Sequence, residues 1–548
     1  MHEHLSDTEL ARYAIDQESL KPEQRQVIEQ ESARCATCGT SHDFFSVITA
    51  EHLPEVEPTD VSSNSDAARA YIERIETEDR EANEVLAQEK LLASPIKTAW
   101  INPHRDKRLL TGGVVRRLCA HANSVHESEP LDALTFADAA ISVAEALPDD
   151  TYPPQAVFEL RGTAWKERAN ALMVLGDYPA ALDALTQAER TFAHSWSPAF
   201  GLSTVALIRG SVLYEQGQLD DAAASAERAE HGFAYIAQEE RRIRAVFLRA
   251  CIRYEAHDLV SAVALFQQVL EYGEGTSDSR WIARASYALG NCEVERTSFE
   301  NASVLFHKAL VIFRRIGPQS DRLATEWGLA RIVLLSGRYD DAIRRLRDVA
   351  SGYERRSMIT NGALVWLDIV DALLTLGQTE QVVDIATRLF RIFREAGMIT
   401  RAPTAIAYLK DEAAAGRLNS AGVNAVRTYL RRAERQARSA EHYLRKCYKA
   451  KTAVRASELA AELEMSAEHL SRLAIQIFGK PRREYLREKQ LTYAEGLLRT
   501  LPQEITVEEI ALHSGFGTHR TFHRCFVDAY GMTPGAFREL VWAPASAG

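Results

Sequence analysis

The sequence predicts an all-α protein whose largest part is a repeated pair of helices. A short turn, loosely Gly-x-aromatic/Leu-x-x-Ala, recurs with an amphipathic helix pattern on either side. Its first position steps along the chain by 41, 40, 40, 40, 40 and 39 residues, at Gly176, Gly217, His257, Thr297, Gly337, Gly377 and Gly416. A helix-turn-helix pattern then occurs twice near the C-terminus. We therefore expect a solenoid followed by a double helix-turn-helix domain.

Four regions follow from these patterns. They are a small helical unit (1–58), a linker with a charged helix (59–108), an α-solenoid (109–435) and the helix-turn-helix domain (436–548). The solenoid should contain about seven to eight helix pairs of ~40 residues, the first a degenerate pair within Leu131–Leu147. A chain of 548 residues is too long for a single core, which agrees with several regions.

Composition indicates a cytoplasmic protein. The cysteines are scattered, as is typical of a reducing compartment, and no stretch of about 18 apolar residues predicts a membrane span. The N-terminus is polar and acidic, unlike a signal peptide. The net charge of -11, taken over the whole chain, argues against nucleic acid, so a DNA-binding role would need locally concentrated positive charge.

The N-terminal unit carries a candidate zinc site. Cys35 and Cys38 form a Cys-x-x-Cys pair, which places two thiolates on one turn as in half of a zinc site. The other half would come from His2 or His4, of which we favour His4, with His42 as a further candidate. The layout resembles zinc-binding anti-sigma-type domains, although Glu31 stands where that resemblance implies a histidine ligand. The alternative is a metal-free helical hairpin with two free thiols.

The repeat resembles tetratricopeptide repeats, which usually run about 34 residues. The resemblance implies a concave groove for a protein, peptide or small-molecule partner. Aromatic residues recur on the first helix of each pair, as at Trp327 and Trp366, and we interpret them as packing between repeats. Recurrent arginines such as Arg209 and Arg249 either line a groove for an acidic ligand or lie on solvated faces.

The second helix-turn-helix pattern runs from Thr506 to Arg538. Thr506 should cap its first helix, and Gly515 should supply the positive φ of the turn. Phe522 and Phe526 have inward spacing on the second helix, which leaves cations and hydrogen-bonding groups outside. The alternative is a plain helical hairpin with a basic outer face.

The first helix-turn-helix pattern lies within 456–478, with Ser457 and Ser466 as the predicted caps and Leu470 and Leu473 inward. A helix with periodic apolar residues should join the two patterns, at Tyr485, Leu486, Leu491, Ala494, Leu497 and Leu498.

Together the two patterns resemble the AraC/XylS-type DNA-binding domain, over about 441–540. The motif is Ile-Ala, Gly-Phe, Phe-x-Arg-x-Phe, Gly-x-x-Pro and Phe-Arg in the second pattern. The departures are Glu464, Ala474 and Gln490, where the family often has glycine, an aromatic residue and arginine. The resemblance implies that outward residues on the second helix of each pattern read bases. They are Glu468, Ser471 and Arg472 in the first pattern, and His519, Arg520, Thr521, His523 and Arg524 in the second.

A run of basic residues precedes this domain. Between Arg427 and Arg455 it includes Arg431, Arg432, Arg435, Arg438, Arg445, Lys446, Lys449 and Lys451, against only Glu434 and Glu441. Such a run would supply the phosphate contacts that dominate DNA affinity. A solvated linker helix is the alternative interpretation.

The sequence thus predicts a transcription regulator that reads double-stranded DNA and senses a partner through its solenoid. We expect no enzyme, because no phosphate-binding loop, Gly-x-Ser-x-Gly or His-Glu-x-x-His motif occurs. The alternative function is a scaffold or adaptor whose solenoid binds a protein, with the helix-turn-helix pair as an interaction module. Homodimerisation stays open, and no membrane partner is expected.

Overall fold

A computed structural model describes residues 22–34, 65–99, 101, 106–148, 151–356, 358–395, 402–435, 440–462, 466–478, 480–501 and 505–542. Over these ranges the chain forms helices joined by short turns, without strands, which confirms the all-α prediction. It divides into two compact units, 1–318 and 319–548. None of the described helices has the length and apolar character needed to span a bilayer.

The first unit contains most of the predicted repeats. Its helices are α1 (Pro22–Arg34), α2 (Ser65–Gln88), α3 (Pro95–Thr98), α4 (Gly112–Val125), α5 (Pro130–Glu145), α6 (Pro154–Val174), α7 (Tyr178–Phe192), α8 (Pro198–Gln216), α9 (Leu219–Tyr235), α10 (Glu239–Glu255), α11 (Leu259–Thr276), α12 (Ser279–Glu295) and α13 (Phe299–Ile316). From α4 onward each helix packs on the next, and several also touch the next but one. This stacking is the packing of an α-solenoid.

The second unit continues the pairs and ends in the helix-turn-helix domain. Its helices are α14 (Gln319–Leu335), α15 (Tyr339–Glu354), α16 (Ile359–Thr375), α17 (Thr379–Glu395), α18 (Ala402–Ala414), α19 (Ser420–Arg435), α20 (Ala440–Ala450), α21 (Ala456–Glu462), α22 (Ala467–Phe478), α23 (Arg482–Thr500), α24 (Val507–His513), α25 (His519–Tyr530) and α26 (Pro534–Trp542). Within this unit α17 lies against α22.

The predicted turn is present in every repeat that carries the motif. Its first residue has a positive φ throughout, from 79° at Gly217 to 59° at His257 and 58° at Thr297. The alanine five residues later is fully buried in five repeats, at Ala181, Ala222, Ala262, Ala302 and Ala342. A side chain this small lets the second helix of a pair approach the first closely, so the motif serves packing.

The start of the solenoid differs from the prediction. Leu131–Leu147 holds a single helix, α5, and its partner is α4, which begins directly at the Gly112-Gly113 pair. The charged helix α2 packs on α4, with Ala82 and Leu86 buried. Gly113 permits this approach, because an added Cβ would lie 2.4 Å from the carbonyl oxygen of Glu78. Periodicity alone did not reveal this contact between distant segments.

Tryptophans of the first helices bind carboxylates of other helices. In the second unit the indole N–H of Trp327 donates to Asp368 at 2.7 Å, and Arg427 donates to the other oxygen of Asp368 at 2.9 Å. The indole of Trp366 likewise donates to Glu354 at 2.8 Å. These residues therefore join repeats, as their recurrence predicted.

Two of the recurrent arginines also join helices of the first unit. Arg209 is buried and pairs with Glu189 at 2.6 Å, and Arg249 pairs with Glu230. Both are interhelical ion pairs, so these two side chains already have carboxylate partners within the solenoid.

Candidate nucleic-acid interface

Helix α24, the first helix of the second pattern, begins at a complete capping box. The Thr506 side chain accepts a hydrogen bond from the backbone N–H of Glu509 at 3.1 Å, and the Glu509 carboxylate accepts from the N–H of Thr506 at 2.8 Å. This reciprocal pair satisfies two N–H groups that a helix start leaves without partners. The prediction of Thr506 as the cap is confirmed.

The turn between α24 and α25 follows at Gly515. Its φ is 69°, and an added Cβ would lie 2.6 Å from Cγ2 of Val454. Both the backbone conformation and the close packing therefore require glycine. The Gly515 carbonyl accepts hydrogen bonds from the N–H of Val454 at 3.0 Å and from Nε2 of Gln490 at 2.7 Å. The turn is thus held from two other segments of the domain.

Helix α25 begins at Thr518, whose side chain accepts from the N–H of Thr521 at 3.2 Å. Phe522 and Phe526 are fully buried, with ring centroids 5.5 Å apart, and Phe526 also packs on Phe537 of α26. Two buried aromatic side chains on one face fix the rotation of the helix about its axis. The opposite face is consequently held outward.

The predicted reading residues of α25 lie on or beside that outward face. His519, Arg520 and Arg524 are exposed, whereas Thr521 and His523 are half-buried. The Thr521 hydroxyl lies 2.9 Å from the Thr518 hydroxyl, so it takes part in the cap. The rings of His519 and His523 lie 6.0 Å apart. The structure therefore brings the five residues together on one short helix.

The first pattern is described less completely. Leu470 and Ala474 are buried on α22, Glu468 is exposed and Ser471 is half-buried. The side chains of Arg472 and Leu473 lie outside the described residues, as does the turn around Glu464. Ser466 directly precedes α22, in agreement with its predicted position.

Ser457 is not the cap of α21, because that helix already begins at Ala456. A long-range contact holds its start instead. The Tyr443 hydroxyl accepts from the N–H of Arg455 at 3.0 Å and lies 3.2 Å from the Glu458 carboxylate. Capping by a tyrosine from another helix leaves no local sequence signal, which is why the prediction missed it.

Helix α23 connects the two patterns through its buried apolar side. The predicted residues Tyr485, Leu486, Leu491, Ala494, Leu497 and Leu498 are all buried. Sequence analysis missed Arg487, which donates to Sγ of Cys525 and lies over the Phe516 ring at 5.3 Å. Arg487 thus ties the connecting helix to α25. Its polar character gave no indication of a packing role.

Positive charge is exposed beside the domain. Lys446, Lys449 and Lys451 lie on or directly after α20 and are exposed, and Arg445 is half-buried. Arg427 instead pairs with Asp368 in the solenoid. The side chains of Arg431, Arg432, Arg435 and Arg438 lie outside the described residues. The described part of the basic run therefore divides between a solenoid ion pair and exposed lysines.

His513 ends α24 in a half-buried position. Burial lowers its pKa to about 4, and the nearby positive charge of Lys451 acts in the same direction, against the opposing effect of Glu509. The imidazole is consequently neutral at neutral pH. It behaves as a packing residue of the turn, unlike the exposed His519.

Helices α21–α26 form a domain of the helix-turn-helix class, whose members bind DNA. A family model described as "Helix-turn-helix domain" matches residues 459–540. This match confirms the AraC-type resemblance of the C-terminal domain. It covers the second pattern completely and the first from within α21.

Three solved structures are similar to the chain at low identity. The apo form of RapI is 16% identical, covering 49% of this chain and 99% of that chain, with a TM-score of 0.35. A Rap protein complexed with competence and sporulation factor is 14% identical, covering 62% and 99%, with a TM-score of 0.36. Aspartyl phosphate phosphatase F from Bacillus subtilis is 13% identical, covering 67% and 97%, with a TM-score of 0.38. Similarity at this level carries no argument about ligands or activity.

The predicted zinc site is untested. Cys35, Cys38 and His4 lie outside the described residues, so zinc binding stays a prediction for the N-terminal unit. Within the described ranges no group of three His, Cys, Asp or Glu side chains could hold a metal ion. The expectation that the chain is no enzyme likewise stays a prediction.

Proposed function

We propose that the protein is a sequence-specific DNA-binding transcription regulator of the cytoplasm whose solenoid senses a partner. The observation that carries the proposal is the division of α25 into two faces. Phe522 and Phe526 are fully buried, while the exposed Arg520 and Arg524 lie on the opposite side and His519 is exposed at the first position of the helix. A helix held rigidly by its core with cations outward is the form in which such domains enter the major groove.

The second helix of each pattern, α22 in the first and α25 in the second, would read successive stretches of the major groove. Helix α23 joins the two patterns through buried side chains, and a rigid connection would set a constant distance between α22 and α25. Arg520 or Arg524 would pair with guanine in the second stretch, and the other would hold a phosphate. Glu468, Ser471 and Arg472 would act in the first stretch. Lys446, Lys449 and Lys451 would add phosphate contacts.

Coupling between solenoid and DNA would pass through α17. This solenoid helix lies against α22, the proposed first reading helix, within the second unit. A partner that shifts the last helix pairs would therefore change the position or the accessibility of α22. Such a change would alter DNA affinity without any contact between partner and DNA.

The test is binding of the full chain to genomic DNA fragments, including its own upstream region, at two salt concentrations. We expect selective retention of a few fragments that weakens steeply with salt, because phosphate contacts release counterions. The double variant Arg520→Ala/Arg524→Ala should abolish the selectivity. The matched control is Arg344→Ala/Arg345→Ala, which removes two exposed arginines from α15.

Retention that is uniform across fragments and unchanged in the Arg520/Arg524 variant would contradict the proposal. The adaptor function, in which the helix-turn-helix pair contacts protein, predicts instead little or no retention of any fragment, even at the lower salt concentration, because no phosphate contacts would form.

A further inference from the structure

A pocket lined by both polar and apolar side chains lies within the first unit. It has a volume of about 80 Å³ and is formed by α6, the segment between α7 and α8, α8 and α10. Its lining includes Glu159 and Lys166 from α6, Phe200 and Thr204 from α8, and Arg241 from α10. Helices from three consecutive repeats thus meet around one space.

Arg241 presents a positive charge to this pocket. Its guanidinium lies 4.6 Å above the centre of the Phe200 ring, a stacking that orients the planar group. No carboxylate among the described residues forms an ion pair with it. The neighbouring Glu240 pairs with Arg244 instead, at 3.2 Å. Burial, together with the charge of Arg244, lowers the pKa of Arg241, against the opposing effect of Glu240.

Glu159 presents the opposite charge. It is half-buried, and burial raises the pKa of its carboxyl group. Over the described part of the chain its carboxylate has no ion-pair or hydrogen-bond partner. Lys166, the other cation of the lining, pairs with Glu167 and is therefore already compensated. A carboxylate and a guanidinium that are both partly removed from water, and that have no ion-pair partner among the described residues, are unfavourable unless a ligand compensates their charges.

The size of the pocket limits the ligand. A water-sized group needs roughly 10–15 Å³ of this kind of volume, so the pocket holds about six such groups. This is the size of a small amino acid and too little for a peptide segment or a helix. A simple anion would meet Glu159, and a simple cation would meet Arg241, so each would be opposed by one of the two charges.

We propose that this pocket binds a free α-amino acid with a small side chain. Its carboxylate would pair with Arg241, and its ammonium group would pair with Glu159. The hydroxyl group of Thr163, which also lines the pocket from α6, would contribute a further polar contact. Such a ligand would join α6, α8 and α10 and stiffen three repeats, so the site would make the solenoid a sensor of amino-acid supply.

The experiment is calorimetric titration of the full chain with glycine, alanine and serine, and with compounds that lack one of the two charges. We expect saturable binding of at least one amino acid. Propionate, ethylamine and N-acetylalanine should bind at least about tenfold more weakly, because each loses one charge-assisted contact. Glu159→Gln and Arg241→Gln should each weaken binding by a similar factor. The control Arg253→Gln removes an exposed arginine of α10 outside the pocket and should leave binding unchanged.

Each variant is first compared with the original chain by thermal unfolding without ligand, which separates loss of the site from loss of the fold. Absence of saturable binding by all three amino acids would overturn the proposal. Equal binding of propionate and alanine would also overturn it, since Glu159 would then have no part. Tighter binding of a dipeptide such as Ala-Ala would show a peptide-end site instead. The assay contains no DNA, so its outcome is independent of the proposed regulator function.

Discussion

The side-chain amide of Gln490 donates a hydrogen bond of 2.7 Å to the carbonyl oxygen of Gly515 and one of 3.2 Å to that of Ser514. The connecting helix α23 thereby holds the turn between α24 and α25. Gln490 is one of the positions where the sequence departs from the family pattern. At this position a buried amide satisfies two carbonyl groups that the tight turn leaves without helical partners.

Replacing Gln490 should loosen that turn. Gln490→Ala removes both donors and should destabilise the domain by about 1–3 kcal/mol, because the Ser514 carbonyl loses this hydrogen bond and the Gly515 carbonyl keeps the one from the N–H of Val454. Gln490→Glu should cost more, since a carboxylate would face two acceptors. Hydrogen exchange of the amides in 510–518 measures the effect. Arg483→Ala, at an exposed position of the same helix, is the control; equal exchange in all variants would contradict the assigned role.

The helix-turn-helix domain should lose stability in mild acid through His513. The folded-state pKa is about 4, below the unfolded value of about 6.5, so between these values the unfolded chain binds more protons. The contribution of neutral His513 to the free energy of unfolding is therefore fully present above about pH 6.5 and is lost as the pH drops towards 4. Because solvent screens this half-buried site, we expect a loss on the order of 1 kcal/mol at pH 5.

Hydrogen exchange of 507–530 at pH 5 and pH 7, corrected for intrinsic exchange rates, measures this dependence. His513→Gln should reduce it, whereas His519→Gln, at an exposed histidine of the next helix, should leave it as in the original chain. The same pH dependence in His513→Gln would exclude His513 as its source.

Arg520 should determine preference at one base position. Arg520→Ala should relax specificity there by roughly 1–3 kcal/mol, because a bidentate contact to guanine is lost. Selection of binding sites from random duplexes gives the preference at each position. Arg344→Ala, which removes an exposed arginine from the solenoid, should select the original site. An unchanged preference in Arg520→Ala would exclude its role as a base reader.

Glycine should stabilise the repeat turn at Thr297, whereas alanine should destabilise the repeat turn at Gly217. Thr297 has φ 58°, a conformation that costs an L-residue roughly 1–2 kcal/mol. Thr297→Gly should therefore stabilise the turn by about 1 kcal/mol, after the larger entropy loss of glycine on folding is subtracted. Gly217→Ala should destabilise its own turn by a similar amount. There an added Cβ meets no atom within 4 Å, so only the backbone conformation is tested.

Hydrogen exchange of the helices that flank each turn reports the two effects separately. Stabilisation by both substitutions, or by neither, would contradict the assigned backbone strain.

The network around Asp368 should hold the last helix pairs together. Asp368→Ala leaves the half-buried Arg427 and the indole of Trp327 without their carboxylate, and the loss of these charge-assisted hydrogen bonds should cost about 1–3 kcal/mol. Proteolysis within 402–435 should accelerate as a result. Asp384→Ala, at an exposed position of α17, should not change the cleavage rate. Equal rates in both variants would show that the network does not limit local unfolding.

The helix-turn-helix domain shows which features could be predicted from sequence. The helix cap at Thr506, the turn at Gly515 and the buried Phe522 and Phe526 were all predicted, because each depends on neighbours within a few positions. The roles of Tyr443 and Gln490 were not, because each polar side chain acts on a segment 12–25 residues away.

The sequence by itself determined the helices, the repeat and the two helix-turn-helix patterns, since helical periodicity and turn chemistry are local properties of the chain. Only the tertiary structure decided that α2 packs on α4, that Asp368 joins three helices, and that Glu159 and Arg241 line one pocket. The physical reason is that burial and charge compensation depend on which distant side chains meet. Spacing along one chain does not contain that information.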